Sequence, residues 1–170
     1  INNQKRLTDE QCSVLGDIDG LPKVTNRIIF SGGAGTGKTA LLQRISYSFQ
    51  NDENILITCK NPQLANHFKK LFKIFDKKID IKSIDQLDLN TNEKYDYILI
   101  DEAQDIINQG LLDTIDSIHK DGLEGKCFFF IDEKRQSRIE SNFDPEVWDL
   151  LKNSETTYSK SLSDNLRNTK

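Results

Sequence analysis

Residues 32–39 read Gly-Gly-Ala-Gly-Thr-Gly-Lys-Thr and complete the phosphate-loop pattern G-x-x-x-x-G-K-T. Glycines in such a loop leave room for backbone N–H groups to converge on an anion, and the helix that follows adds its positive end. The spacing predicts that Lys38 reaches the β- and γ-phosphates of a nucleotide and that the Thr39 hydroxyl faces Mg²⁺. The predicted phosphate-binding residues are Gly32, Gly33, Ala34, Gly35, Thr36, Gly37, Lys38 and Thr39.

The sequence on either side of this loop predicts an α/β fold. Apolar runs typical of strands covered on both faces lie at 27–30, 54–59, 79–82, 96–100 and 127–131. Helical patterns lie between them at 38–50, 62–75 and 106–119. This alternation predicts a mainly parallel sheet with helices on both faces and a ligand site at the carboxyl ends of the strands. The polar tail from Asp144 onward has one short amphipathic stretch, and its pattern predicts no further helix or strand.

The composition excludes some classes of protein. At 170 residues the chain suits one domain, and a net charge of −4 gives it no overall positive field toward nucleic acid. A contact with DNA or RNA must therefore be local, although a solvated helix face explains most of the candidate lysines equally well. The candidate lysines for a local patch are Lys69, Lys70, Lys73, Lys77, Lys78 and Lys82.

The sequence also bears on location and on cysteine chemistry. Its longest apolar run, 127–131, is far shorter than a bilayer span, so we expect a cytoplasmic protein without a membrane partner. Cys12, Cys59 and Cys127 are an odd number at wide spacing, and Cys59 and Cys127 fall in predicted strands, which favours buried reduced thiols over a disulfide or zinc site. The chain has no methionine, so we expect it to be part of a longer protein.

A cluster of acids follows the predicted strand 96–100. Asp101 and Glu102 come directly after it, at the sheet edge where the phosphate loop is also expected. A carboxylate in this position holds Mg²⁺ in hydrolytic nucleotide-binding proteins, and a second acid beside it polarises the attacking water. We therefore predict Asp101 as the metal ligand and Glu102 as the general base. The structural alternative is an acidic helix start that favours the helix dipole.

A polar loop follows the last predicted strand, 127–131, and contains Gln136. An amide there is placed to contact the γ-phosphate or the attacking water. An ordinary polar surface loop is the alternative, since loops after strands are usually polar.

Taken together, these motifs resemble superfamily 1 helicases of the UvrD/Rep kind, in particular their first RecA-like motor domain. Ile100-Asp101-Glu102-Ala103-Gln104-Asp105 is similar to the acidic motif of that family, including its Gln and its final Asp. The other matching elements, in order, are Leu7-Thr8-Asp9-Glu10-Gln11, Ile57-Thr58-Cys59-Lys60-Asn61, Ile81-Lys82-Ser83-Ile84, Asp132-x-x-x-Gln136-Ser137 and 162–169.

The resemblance implies a RecA-like P-loop NTPase domain at 1–160 and the start of a second motor domain at 161–170. It implies ATP and Mg²⁺ as cofactors, Gln11 at the adenine, and catalytic roles for Lys38, Glu102, Gln136 and Arg167, the last as an arginine finger. The partners implied are single-stranded DNA, with RNA as the alternative, and a second RecA-like lobe. Candidate nucleic-acid contacts are Thr58, Asn61 and Ser83.

The chain departs from the family pattern at three places. One extra residue separates Asp132 from Gln136, and Ser141 stands where the family has a base-stacking aromatic, for which Phe143 or Trp148 are the available substitutes. Leu166 stands where the family commonly has an adenine-stacking Tyr. The interval from Ile84 to Ile100 is too short for the inserted 1B subdomain of the larger helicases.

The resemblance implies an ATP hydrolase that couples hydrolysis to translocation on nucleic acid or to unwinding. With the second lobe missing from this chain, we expect ATP binding but weak hydrolysis. An ATPase switch that regulates a nuclease or defence module without translocation is the alternative. A P-loop kinase for a small metabolite is less favoured, because a general base beside the metal ligand suits water as the acceptor.

Overall fold

The structure is a computed structural model that describes residues 9–72, 78–88, 92–132 and 142–163, with side chains described from residue 12 onward. The helices are α1 (Asp9–Asp19), α2 (Lys38–Ser48), α3 (Pro62–Leu71), α4 (Gln109–Ile118) and α5 (Pro145–Lys152). The strands are β1 (Arg27–Ser31), β2 (Ile55–Cys59), β3 (Ile79–Ser83), β4 (Tyr97–Ile100), β5 (Cys127–Ile131) and β6 (Thr157–Ser161). Short 3₁₀ turns lie at Ile84–Gln86, Ala103–Asp105 and Gly122–Glu124.

The strands form one parallel sheet in the order β3-β2-β4-β5-β1-β6. β5 lies inside the sheet, where Phe128 pairs with Ile28 of β1 on one side and with Leu99 of β4 on the other. Because the strands run in one direction, the segments that leave them emerge at the same edge. The predicted α/β fold with a parallel sheet is therefore confirmed.

Helices cover both faces of the sheet. On one face, Val14 of α1, Leu41 of α2 and Phe68 of α3 pack against buried residues that include Phe128 of β5. On the other face, α4 and α5 pack over a cluster that includes Phe129 of β5. Successive side chains of β5 thus point alternately into the cores on the two faces of the sheet, which explains why this strand is apolar at every position.

The predicted helix at 106–119 is shorter in the structure and begins later. The backbone forms a 3₁₀ turn at Ala103–Asp105 and then α4, which begins at Gln109. Asn108 caps α4, since its Oδ1 accepts a hydrogen bond from the N–H of Leu111 at 2.9 Å. The side chain of an N-cap asparagine satisfies one of the free N–H groups of the first turn, so the helix begins there.

The tail contains two elements, α5 and β6. The N–H groups of Glu146 and Val147 both donate to Oδ1 of Asp144, which caps α5. β6 was not predicted, because Thr-Tyr-Ser-Lys-Ser has no apolar run. Within the described part of the chain it pairs only with β1, so it is an edge strand whose half-exposed faces suit polar residues.

The two cysteines that fall in predicted strands are buried, and the third is not. Cys59 and Cys127 are buried free thiols, whereas Cys12 is free and exposed on α1. Among the helices in the described ranges, none has the length and apolarity needed to cross a membrane.

Candidate nucleotide-binding site

The loop that connects β1 to α2 depends on glycines with positive φ. Gly35 has φ of 86° and Gly37 has φ of 87°, in the left-handed region that glycine adopts without steric cost. Gly37 stands at the N-cap of α2, which begins at Lys38. The loop therefore turns sharply onto the positive end of the helix, the arrangement that binds phosphate.

The loop also closes tightly at its first residue. A Cβ atom at Gly32 would lie 2.7 Å from Oγ1 of Thr36 and 3.2 Å from the carbonyl oxygen of Leu162. The Thr36 hydroxyl itself donates to the carbonyl of Gly33 at 2.9 Å. Glycine is therefore required at position 32, because a side chain there would collide with the buried Thr36.

The ammonium group of Lys38 lies against the carbonyls of the loop. Its Nζ donates to the oxygen of Gly32 at 2.6 Å and to that of Gly33 at 2.9 Å. The side chain is buried, so its charge acts in surroundings that screen it poorly. This positive charge and the N-terminus of α2 together form an anion site.

Asp101 is buried at the end of β4, next to the end of β2. Its N–H donates to the carbonyl of Thr58 at 3.0 Å. Burial raises the pKa of the Asp101 carboxyl to about 7, and the nearby charge of Glu102 adds to the rise. A hydrogen bond from the Glu102 backbone and the charge of Lys38 oppose it. The carboxyl of Asp101 therefore lies within the electrostatic field of the phosphate-loop lysine.

Residues of this site fit a magnesium ion. Thr39 is exposed at the second position of α2, and it offers a hydroxyl oxygen. Asp101 offers a buried carboxylate whose ionised form is costly without a cation nearby. Oxygen donors of this kind are those that Mg²⁺ prefers, and the ion would compensate the charge of Asp101.

Glu102 has an unusual backbone. Its φ of 51° and ψ of 42° make it the one non-glycine residue with positive φ among those that the structure describes. Such a conformation costs roughly 1–3 kcal/mol and occurs often at functional sites. The Glu102 carboxylate accepts a hydrogen bond from Nε2 of Gln104, which keeps it next to the 3₁₀ turn.

The three candidate nucleic-acid contacts lie in different surroundings. Asn61 is exposed and caps α3, since its Oδ1 accepts from the N–H of Leu64 at 2.9 Å. Thr58 and Ser83 are fully buried at the ends of β2 and β3. Their hydroxyl oxygens have no hydrogen-bond partner within the described part of the chain. Of the three side chains, that of Asn61 is therefore the one that faces solvent.

Three predicted residues lie outside what the structure describes. Gln11 belongs to α1 by its backbone, but its side chain is not described, and Gln136 and Arg167 fall in ranges 133–141 and 164–170. Their predicted roles at the adenine, the γ-phosphate and the arginine finger stay predictions.

Sequence reasoning missed the polar contacts that connect the strand ends. The amide of Gln104 bridges Glu102 and the N–H of Asp132, which follows β5. Asp105 lies 3.9 Å from the ammonium of Lys60, which follows β2. The acidic motif pointed to Gln104 and Asp105 without giving them a role, because a local pattern does not show which distant strand a side chain contacts.

Comparison with known proteins supports the fold. A family model described as an AAA domain matches residues 25–131. The chain is similar to domain III of the replication initiation protein DnaA from Thermotoga maritima, at 20% identity over 91% of this chain and 61% of that chain, with a TM-score of 0.55. No curated protein is similar enough to count as a match.

Two further solved structures share the fold. One is the Pif1 helicase from Bacteroides in complex with ADP-AlF3 and ssDNA, at 19% identity over 93% of this chain and 42% of that chain, with a TM-score of 0.56. The other is the large terminase of HK97 bacteriophage, at 13% identity over 74% of this chain and 33% of that chain, with a TM-score of 0.60. The chain spans less than two thirds of each of these three proteins. Since the family model covers more than half of the sequence and the phosphate loop lies inside the matched range, the chain belongs to the AAA domain family of P-loop NTPases.

Proposed function

We propose that this chain is the ATP-binding lobe of a UvrD/Rep-like motor that couples ATP hydrolysis to movement along single-stranded DNA or to unwinding. The observation that carries the proposal is the buried Asp101 beside Glu102, within the field of Lys38. A lysine for phosphate, a carboxylate for a cation and a second carboxylate for water are the groups that hydrolysis of a nucleoside triphosphate requires.

In the proposed reaction, Lys38 and the loop N–H groups hold the phosphates of ATP. Thr39 and Asp101 would hold Mg²⁺, which neutralises phosphate charge when bound. Glu102 accepts a proton from water as the water oxygen attacks the γ-phosphorus. The bond from the γ-phosphorus to the bridging oxygen breaks, so ADP and inorganic phosphate leave, and Glu102 returns its proton to solvent.

The domain division is part of the proposal. Residues 1–160 would form the ATP-binding lobe without an inserted 1B subdomain, and 161–170 would begin a second RecA-like lobe. Gln11 would bind the adenine, Gln136 would contact the γ-phosphate or the attacking water, and Arg167 would act as the arginine finger. This chain covers 42% of the Bacteroides Pif1 chain, which supports the proposal that the lobe belongs to a larger protein.

Single-stranded nucleic acid is the proposed partner, at Thr58, Asn61 and Ser83, and Asn61 offers an exposed amide for it. The Bacteroides Pif1 structure, which holds ssDNA, supports this part of the proposal through its similar fold. The buried hydroxyls of Thr58 and Ser83 favour the second candidate function, an ATPase switch that regulates a nuclease or defence module without translocation.

A single-turnover assay with excess protein and radiolabelled ATP tests hydrolysis directly. We expect a slow rate for the chain and a fall of about 100-fold or more in Glu102→Gln, because the amide cannot accept the proton. Glu146→Gln, an exposed glutamate on α5, is the matched control. Equal rates for wild type and Glu102→Gln would disprove the proposed hydrolysis.

The same assay with added single-stranded DNA separates the two candidate functions. A motor lobe predicts that DNA raises the rate of the protein that contains both lobes, and that Asn61→Ala weakens the effect. A rate that is indifferent to DNA favours the switch. Strong stimulation of residues 1–170 alone would contradict our expectation that this part hydrolyses ATP weakly.

A further inference from the structure

We propose that Gln104 is a positioning residue that fixes the Glu102 carboxylate for attack by water, an inference that rests on the proposed ATP hydrolysis. Its amide makes two hydrogen bonds to different elements. Nε2 donates to Oε2 of Glu102, and Oε1 accepts from the N–H of Asp132 at 2.9 Å. Gln104 therefore joins the proposed general base to the end of β5.

The chemistry of these partners fixes the orientation of the Gln104 amide. The backbone N–H of Asp132 can only donate, so it must face the carbonyl oxygen of the amide. The amide nitrogen is then directed at Glu102, where a carboxylate can only accept. With Gln104 only 1% exposed, water does not compete for either bond. The amide thus has one favourable orientation, and that orientation presents a donor to the base.

The backbone and side chain of Glu102 explain why its carboxylate requires a restraining contact. Its left-handed conformation directs the residue away from the regular path of β4, and its side chain has several rotatable bonds. One carboxylate oxygen, Oε2, is held by Gln104. The carboxylate is thereby restrained while its other oxygen is left to accept a proton from water. General-base catalysis depends on the position of the base, so this restraint on the Glu102 carboxylate contributes to the rate of hydrolysis.

The turn that carries Gln104 is itself held at several points. The N–H of Asp105 donates to the carbonyl of Glu102 at 3.1 Å, which closes the 3₁₀ turn. Beyond the range 133–141, the N–H of Asn142 donates to the carbonyl of Asp105 at 3.2 Å, and that of Asp144 donates to Ile107 at 2.7 Å. Residues on both sides of 133–141 are therefore hydrogen-bonded to the segment that carries Gln104.

Two substitutions separate a positioning role from a structural one. Gln104→Met keeps the length of the side chain and loses both hydrogen bonds. Gln104→Glu keeps an oxygen that accepts from Asp132 and replaces the donor to Glu102 with a second carboxylate, which repels it. The positioning role predicts that both variants hydrolyse ATP slowly. A role limited to anchoring β5 predicts that Gln104→Glu behaves like wild type.

The experiment measures single-turnover hydrolysis, ATP affinity with a fluorescent analogue, and thermal unfolding, all in the full chain. We expect the rate to fall about 10- to 100-fold in both variants, with the dissociation constant for ATP within about twofold of wild type. Gln109→Met is the matched control, because Gln109 also donates to a carboxylate, Asp113, but lies exposed on α4. Its rate should stay at the wild-type value.

The outcomes distinguish this inference from the proposed function. If Glu102→Gln abolishes hydrolysis while Gln104→Glu retains a rate within about twofold of wild type, the positioning role is wrong and the proposed function stands. If wild type is no faster than Glu102→Gln, both are wrong. Loss of affinity and of thermal stability in parallel with rate, in both Gln104 variants, would indicate a structural residue and overturn the inference.

Discussion

The backbone N–H of Leu162 donates to the carbonyl oxygen of Ser31 at 2.7 Å, at the point where β1 passes into the phosphate loop. The carbonyl of Leu162 in turn lies 3.2 Å from the position that a Cβ atom at Gly32 would occupy. The segment that leaves β6 therefore lies directly against the start of the loop. Residues far apart in the sequence thus shape the same phosphate site.

Gly32→Ala should damage the loop because its Cβ would meet Oγ1 of Thr36 at 2.7 Å. Thr36 is buried and hydrogen-bonded to Gly33, so it cannot yield without cost. We expect a loss of about 1–3 kcal/mol in the free energy of unfolding, measured with urea, and at least a tenfold loss of ATP affinity. Gly16→Ala is the control, since nothing lies within 4 Å of its Cβ and alanine favours a helix. If Gly32→Ala and Gly16→Ala had equal stability and equal ATP affinity, the argument from the close contact with Thr36 would be wrong.

Lys38→Ala should weaken ATP binding by at least about tenfold, because it removes a buried positive charge at the phosphate loop. Isothermal titration calorimetry with ATP and Mg²⁺ measures the change. Lys120→Ala is the control, because Lys120 pairs with Asp96 at the opposite end of β4 from Asp101. If Lys38→Ala bound ATP as tightly as wild type, the assignment of the phosphate site would be wrong.

Elements whose own residues determine their structure could be predicted from the sequence, and elements that depend on distant partners could not. The buried strands β1, β2, β4 and β5 are built around short apolar runs, and the phosphate loop has a specific glycine pattern, so both were predictable. The polar edge strand β6 was not, because its position in the sheet comes from pairing with β1 and not from its own residues. The helix predicted at 106 began later because Glu102 and the 3₁₀ turn redirect the chain.

The site shows the same division between local and distant determinants. The positions of Lys38 after β1 and of Asp101 after β4 were predictable from motifs, while their roles stay predictions. The bond between Gln104 and Asp132 joins residues 28 positions apart and has no signal in either segment. The burial of Thr58 and Ser83 was equally hidden, because a hydroxyl side chain in a short motif does not show how the rest of the fold packs around it.

Asp116→Ala should destabilise the fold strongly. The Arg27 guanidinium lies 2.6 Å from the Asp116 carboxylate, and the two side chains are 9% and 15% exposed. Removal of one partner leaves a buried unpaired charge, so we expect a loss of about 3 kcal/mol in the free energy of unfolding. Lys160→Ala is the matched control, because its pair with Asp17 is 38% and 42% exposed and should contribute under about 1 kcal/mol. Urea unfolding at pH 7 compares the two, and a small loss at Asp116 would contradict the burial argument.

His119 should make the fold less stable as the pH falls. Burial lowers the pKa of its imidazole despite the nearby charge of Asp121, and its Nδ1 accepts from the N–H of Asp121 at 3.1 Å. Protonation would destroy that acceptor. The unfolded chain binds the proton first, so this contribution is complete above about pH 6.5 and is lost as the pH falls below it. Thermal unfolding between pH 8 and 5 should show a flatter pH dependence in His119→Asn than in wild type. Equal slopes in wild type and His119→Asn would disprove the assignment.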